Sequence, residues 1–181
     1  MVVVRVVLLI MFLVIASCNT TEHINVAEAK LGMNEYQDRT ALKQYVGFDP
    51  RYTEWCAAFV NAVLEESGMQ NLHDIDHIAP LMARSFLDWG EPVDQPQPGD
   101  IVVFPRGNSD WKGHVGFYVG WEQTADGRVY WKILGGNQKD SVSIDLYNPS
   151  RALGIRRYKY YYESEHRSNV GNSSKSISES K

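Results

Sequence analysis

The apolar positions of this chain change their period near its middle. Through the first half they recur at helical spacing, and beyond residue 98 they come in short runs divided by turn residues. Ala27, Leu31 and Leu42, with Gly32 as the one strong breaker, predict a helix over 26–43, which the Asp49-Pro50 turn follows. Phe59 and Val63 fall on one helical row and Val60 and Leu64 on the next. They predict a second helix over 53–66, with Thr53 as its N-cap and Gly68 as its stop. A third, short helix is predicted over 78–88, ended by Gly90. Strands are predicted at 101–104, 114–121, 129–134, 142–146 and 153–160. Helices followed by consecutive short strands give an α+β fold, with N-terminal helices packed on a meandering antiparallel sheet.

The hairpin between the second and third strands fixes a register. Asp126-Gly127 is a strong turn signal. Folded there, His114 and Asn137 become direct cross-strand neighbours, with Cβ atoms ~5 Å apart. Gly116 then faces Gly135, and Val115, Phe117, Val119 and Trp121 turn together toward the core. A bulge would shift this register by one and separate the pair.

The two ends read differently from the middle. Met1 to Ser17 is almost wholly apolar with one charge, Arg5, and is shorter than the ~20 residues a spanning helix needs. A basic start, an apolar run and small residues before a polar continuation describe an export signal. Ile15-Ala16-Ser17-Cys18 resembles the lipobox of bacterial lipoproteins. That resemblance implies a signal peptide of residues 1–17 and lipidation of Cys18, with the tether and the start of the first helix over 18–34. A plain signal peptide or an uncleaved anchor remain the alternatives. The chain has two cysteines: an acylated Cys18 leaves Cys56 free, whereas cleavage elsewhere leaves a Cys18–Cys56 disulfide open. Residues 163–181 are rich in Ser, Asn, Glu and Lys and are expected to form a disordered polar tail. The net charge is −4, and the basic residues are scattered apart from Arg151, Arg156, Arg157 and Lys159. This argues against a nucleic-acid partner.

Three residues carry candidate chemistry. Cys56 lies near a predicted helix start, where unpaired backbone N–H groups favour a thiolate. His114 opens a predicted strand, and Asn137 ends the next. Thiol, imidazole and amide are the parts of a cysteine hydrolase: nucleophile, general base, and a third group that orients the imidazole. The Cys56 backbone N–H is a natural oxyanion donor, and Gln44, Tyr45 and Tyr52 remain open as its side-chain partner. Singly, each has a plainer reading, since a cysteine beside Ala-Ala-Phe-Val is most often a small buried hydrophobe. Trp55 and Trp111 flank the site in sequence and are candidate substrate-binding residues, with core packing as the competing reading. His73 and His77 have the spacing of a zinc helix but lack its glutamate and a third ligand. A solvated loop is the better reading, and no metal or other cofactor is expected.

The runs Trp55-Cys56-Ala57-Ala58-Phe59-Val60-Asn61, Pro98-Gly99-Asp100-Ile101-Val102-Val103-Phe104, Gly113-His114-Val115-Gly116-Phe117-Tyr118 and Leu134-Gly135-Gly136-Asn137-Gln138 resemble the CHAP and NlpC-type cysteine peptidases and amidases of cell walls. The likeness is greatest to their phage-endolysin-like branch. It implies a papain-like fold, a catalytic domain over 35–162, Cys56 as nucleophile, His114 as base and Asn137 as third member. It further implies cleavage of a peptide or N-acyl amide bond in peptidoglycan through a thioester. The expected setting is the bacterial cell envelope, with peptidoglycan as partner, the membrane reached through the N-terminal lipid, and a monomeric protein. Asn19 after the cysteine favours the periplasmic face of the outer membrane in a Gram-negative host. The competing readings are a catalytically silent wall-binding lipoprotein and a thiol acyltransferase on the same fold.

Overall fold

Burial of one apolar helix against one antiparallel sheet organises the chain. The structure, a computed structural model, describes residues 22–159. Three α-helices, α1 (Glu22–Glu28), α2 (Arg39–Val46) and α3 (Cys56–Glu66), precede the strands. These are β1 (Glu91–Pro92), β2 (Ile101–Pro105), β3 (Gly113–Gln123), β4 (Val129–Gln138), β5 (Ser141–Tyr147) and β6 (Gly154–Arg157). They form an antiparallel sheet of order β1-β6-β2-β3-β4-β5. The predicted meander is present as β2 to β5, and β6 returns to the far side of β2. The fold is therefore α+β, with the helices first and the sheet after.

Helix α3 is buried on nearly every side, from Cys56 through Val60 and at Val63 and Leu64. It packs on β3 and β4 and is covered by α1 and α2. Asn61 is the polar exception and is satisfied: its Oδ1 accepts from Leu72 N at 2.9 Å, and its Nδ2 donates to Pro80 O at 2.7 Å. Val102, Phe104, Tyr118, Ile133 and Ile155 form a second core on the opposite face of the sheet.

Several elements depart from the sequence pattern. The single helix predicted over 26–43 is two, because the chain between them pairs with the sheet edge. Gly32 N donates to Val142 O at 2.9 Å, Val142 N donates to Met33 O at 2.9 Å, and Gly32 adopts φ +86°. The predicted 53–66 helix begins at Cys56, with Trp55 rather than Thr53 at its N-cap, and ends before Gly68 at φ +66°. The helix predicted over 78–88 is a 3₁₀ turn at Ala83–Asp88. The short strand β1 was not predicted.

The hairpin keeps its predicted register only in part. The alignment that sets His114 opposite Asn137 also sets Phe117 opposite Leu134 and Tyr118 opposite Ile133, and both pairs are present. A bulge at Val119 then shifts the ladder, so that Gly120 faces Lys132 and Trp121 faces Trp131. The bulge breaks the alternation of faces. Val115 and Phe117 are core residues, but Trp121, predicted to join them, is 61% exposed.

Candidate active site

Cys56 is the first residue of α3, and the opening N–H groups of a helix have no acceptor within it. The thiol is free and 3% exposed. Burial pushes its pKa up, and this outweighs the opposing pull of the backbone N–H groups of Val115, Ala57 and Cys56 itself. The helix terminus is thus present, but desolvation keeps the sulfur protonated. The Val115 N–H places the sulfur against β3, next in the chain to His114.

His114 is 4% exposed. Burial, helped by the positive charge of Arg106, lowers its pKa to about 4, while the bond to Gln138 works in the other direction. Nε2 lies 3.1 Å from Gln138 Oε1. The Gln138 amide nitrogen donates to Ser143 O at 2.7 Å and to Ile133 O at 3.2 Å. Backbone carbonyls only accept, so the NH₂ faces them and the amide oxygen faces the imidazole. His114 must then donate from Nε2, leaving the lone pair on Nδ1. That atom is buried and has no hydrogen-bond partner. Tyr147 stacks on the imidazole at 5.4 Å between centroids and 3° between planes, fixing the ring's orientation. Burial raises the Tyr147 hydroxyl to about 12, so the stacked ring is neutral.

Asn137 does not reach His114. Its backbone turns to φ +56°, the ladder to β5 is irregular between Gly135 and Gln138, and the side chain leaves the sheet for the rim. There its Nδ2 donates to Glu54 Oε2 at 2.6 Å, Glu54 pairs with Arg106, and Arg106 donates to Asn137 O at 3.4 Å. The amide on the imidazole is that of the next residue, Gln138. The signal was in the sequence: of two adjacent amides, asparagine is the one that tolerates a left-handed backbone. Gly135 lies against this pair, where a Cβ would be 3.3 Å from Val115 O, 3.4 Å from His114 Nε2 and 3.5 Å from Gln138 Cδ.

Trp55, one of the two substrate-binding candidates, packs in the core. It is fully buried, and its indole N–H donates to the buried Glu35 carboxylate at 2.9 Å. Trp111, by contrast, is 62% exposed and lines a cleft of about 390 Å³ that opens over Cys56. Leu81, Met82 and Ala83 line this cleft together with Glu54, Arg106, Trp111 and Lys112. None of the oxyanion candidates Gln44, Tyr45 and Tyr52 lines it, and the Tyr45 hydroxyl is turned to Glu66 at 2.8 Å. The His73–His77 segment begins with a capped turn in which Asn71 and Asp74 bond each other's backbone. Cys18, its lipidation and the polar tail lie outside the described residues.

A protonated thiol, a neutral base with its lone pair unengaged, and N–H donors at a helix start are suited to acyl transfer. The CHAP domain family matches residues 47–137, a stretch that holds Cys56, His114 and Asn137 and stops one residue short of Gln138. Comparison with curated proteins finds no match. With half of its 181 residues matched, Cys56 and His114 among them, the chain belongs to the CHAP domain family.

Proposed function

We propose that this protein hydrolyses an amide bond of peptidoglycan, with Cys56 as nucleophile and His114 as general base. The observation that carries the reading is the unpartnered Nδ1 of His114, held as a lone-pair base by the Gln138 bond on the strand that meets the Cys56 thiol. As Sγ attacks the carbonyl carbon, its proton passes to Nδ1, and the oxyanion is met by the N–H of Cys56 at the helix start. The amine leaves with the proton from Nδ1, and a thioester remains on Cys56. Water then attacks the thioester, giving one proton to Nδ1, and that proton returns to the sulfur as the acid departs. Gln138 is a positioning residue in this scheme, in the role the resemblance assigned to Asn137. Membership of the CHAP domain family supports a wall substrate.

The papain-like arrangement, the kinship with phage endolysins and the action at the cell envelope belong to the same proposal. So do export through residues 1–17 and anchoring at Cys18. The test is digestion of purified sacculi by the full chain in mild detergent, with the fragments read by mass spectrometry. New amine and carboxyl ends that Cys56→Ala does not release are the expected result. Glycan cleavage, or a joined product in place of a hydrolysed one, would overturn the reading.

A further inference from the structure

The cleft lining combines apolar surface with charge, and that combination bears on substrate choice. Leu81 and Met82 are 47% and 38% exposed, so part of the lining is apolar surface. The lining also carries Arg106 and Lys112, which are not equivalent. Arg106 is neutralised by Glu54. Among the described residues no carboxylate pairs with Lys112, although Asp110 lies two residues away. Its ammonium sits 5.2 Å from the centroid of the exposed Trp111 ring.

The loop that presents this pair is braced. Arg84, on the 3₁₀ turn that follows Leu81 and Met82, donates from Nε to Lys112 O at 2.9 Å and from Nη2 to Ser109 O at 2.8 Å. Ser109 Oγ accepts from Lys112 N at 3.2 Å. Arg84 fixes the backbone of Lys112 while adding a second cation that no carboxylate offsets. On a protein of net charge −4, a cation with no carboxylate partner, lining the same cleft as the buried nucleophile, marks that lining as a site for an anionic group.

We propose that Lys112 is a specificity-determining residue and that the cleft takes peptides bearing a free carboxylate near the scissile amide. The inference rests on the hydrolase reading and names its substrate class. The carboxylate accepts from the Lys112 ammonium, the adjoining peptide lies along Trp111, and an apolar side chain meets Leu81 and Met82. An ion pair at an exposed lysine is worth about threefold to fivefold in binding.

The test uses cross-linked muropeptides with their carboxylates free and the same preparation converted to carboxamides with ammonia and carbodiimide. The wild-type protein is expected to cleave the free-acid form with kcat/KM about threefold to fivefold higher. Lys112→Met is expected to lose that preference through KM, with little change on the amidated form. Arg128→Gln, at the exposed tip of the β3–β4 turn, keeps the preference. Equal cleavage of both forms by the wild type, or an equal loss on both in Lys112→Met, would overturn the proposal.

Calorimetric titration of both preparations into Cys56→Ala separates the two readings. Acid-selective binding that disappears in Cys56→Ala/Lys112→Met supports the carboxylate site even where the wild type cleaves neither form. Equal binding, or none, rejects it whatever the turnover.

Discussion

Burial sets the charge state of both reacting groups, and it does so in opposite senses. The Cys56 thiol is pushed up and the His114 imidazole down, so the resting pair is neutral rather than a thiolate–imidazolium ion pair. Alkylation of Cys56 by iodoacetamide is therefore expected to be slow at pH 6–7 and to keep rising with pH beyond the ordinary thiol range. A rate that is high and flat from pH 5 to 8 would show an ion pair instead. Because His114 is neutral above about pH 4, kcat/KM should hold well into the acid range.

Gln138→Glu places a carboxylate on Nε2, stabilises the imidazolium and should move the acid limb of that profile upward. Gln138→Leu releases the tautomer and should lower kcat by about 10²-fold with KM little changed. An unmoved acid limb in Gln138→Glu would remove Gln138 from the mechanism. The sequence pointed to a thiol, an imidazole and an amide in order. The choice between Asn137 and Gln138, however, turned on one backbone dihedral, which the order of side chains does not report and only asparagine's tolerance of the left-handed region signals.

At the scale of elements, the site depends on how closely β4 approaches α3. A Cβ on Gly136 would come within 2.5 Å of Trp55 Cζ3 and 2.7 Å of Phe59 Cβ. Gly136→Ala is expected to cost about 1–3 kcal/mol by overpacking, read as a lower urea midpoint at unchanged slope. A variant as stable as the wild type would mean that the helix can retreat without loss. The β3–β4 pairing was legible because a turn dipeptide and two apolar runs agree on one register near the site. The break at 29–38 was not, since it is imposed by bonds to β5 more than a hundred residues away in the chain. Trp121 was misplaced for a related reason: alternation assumes a regular ladder, and the bulge at Val119 ends it.

For the molecule as a whole, two buried histidines make stability depend on pH. His23 donates or accepts at Nε2 against Gly99 O, 2.8 Å away, and a carbonyl only accepts, so His23 donates. Burial lowers its pKa, with the Gly99 bond and the charge of Asp100 opposing. For both histidines the folded pKa lies below the unfolded value of ~6.5. The unfolded chain therefore takes up protons that the folded one refuses as pH falls from there. Stability is full above about pH 6.5 and declines toward the folded pKa, His114 alone removing about 2–3 kcal/mol by pH 4.5. Urea unfolding between pH 7.5 and 4.5 should show this decline, and it should be shallower in His114→Gln. A flat profile would mean that the imidazoles are protonated in place.

The central claim is an acyl group carried on Cys56. Its most direct test is mass spectrometry of the full chain, quenched in acid during digestion of excess peptidoglycan fragments and mapped by peptide. The account expects a muropeptide-derived mass on the peptide containing Cys56, removed by neutral hydroxylamine as a thioester is. Peptidoglycan amide cleavage by Cys56→Ala at the wild-type rate would contradict it.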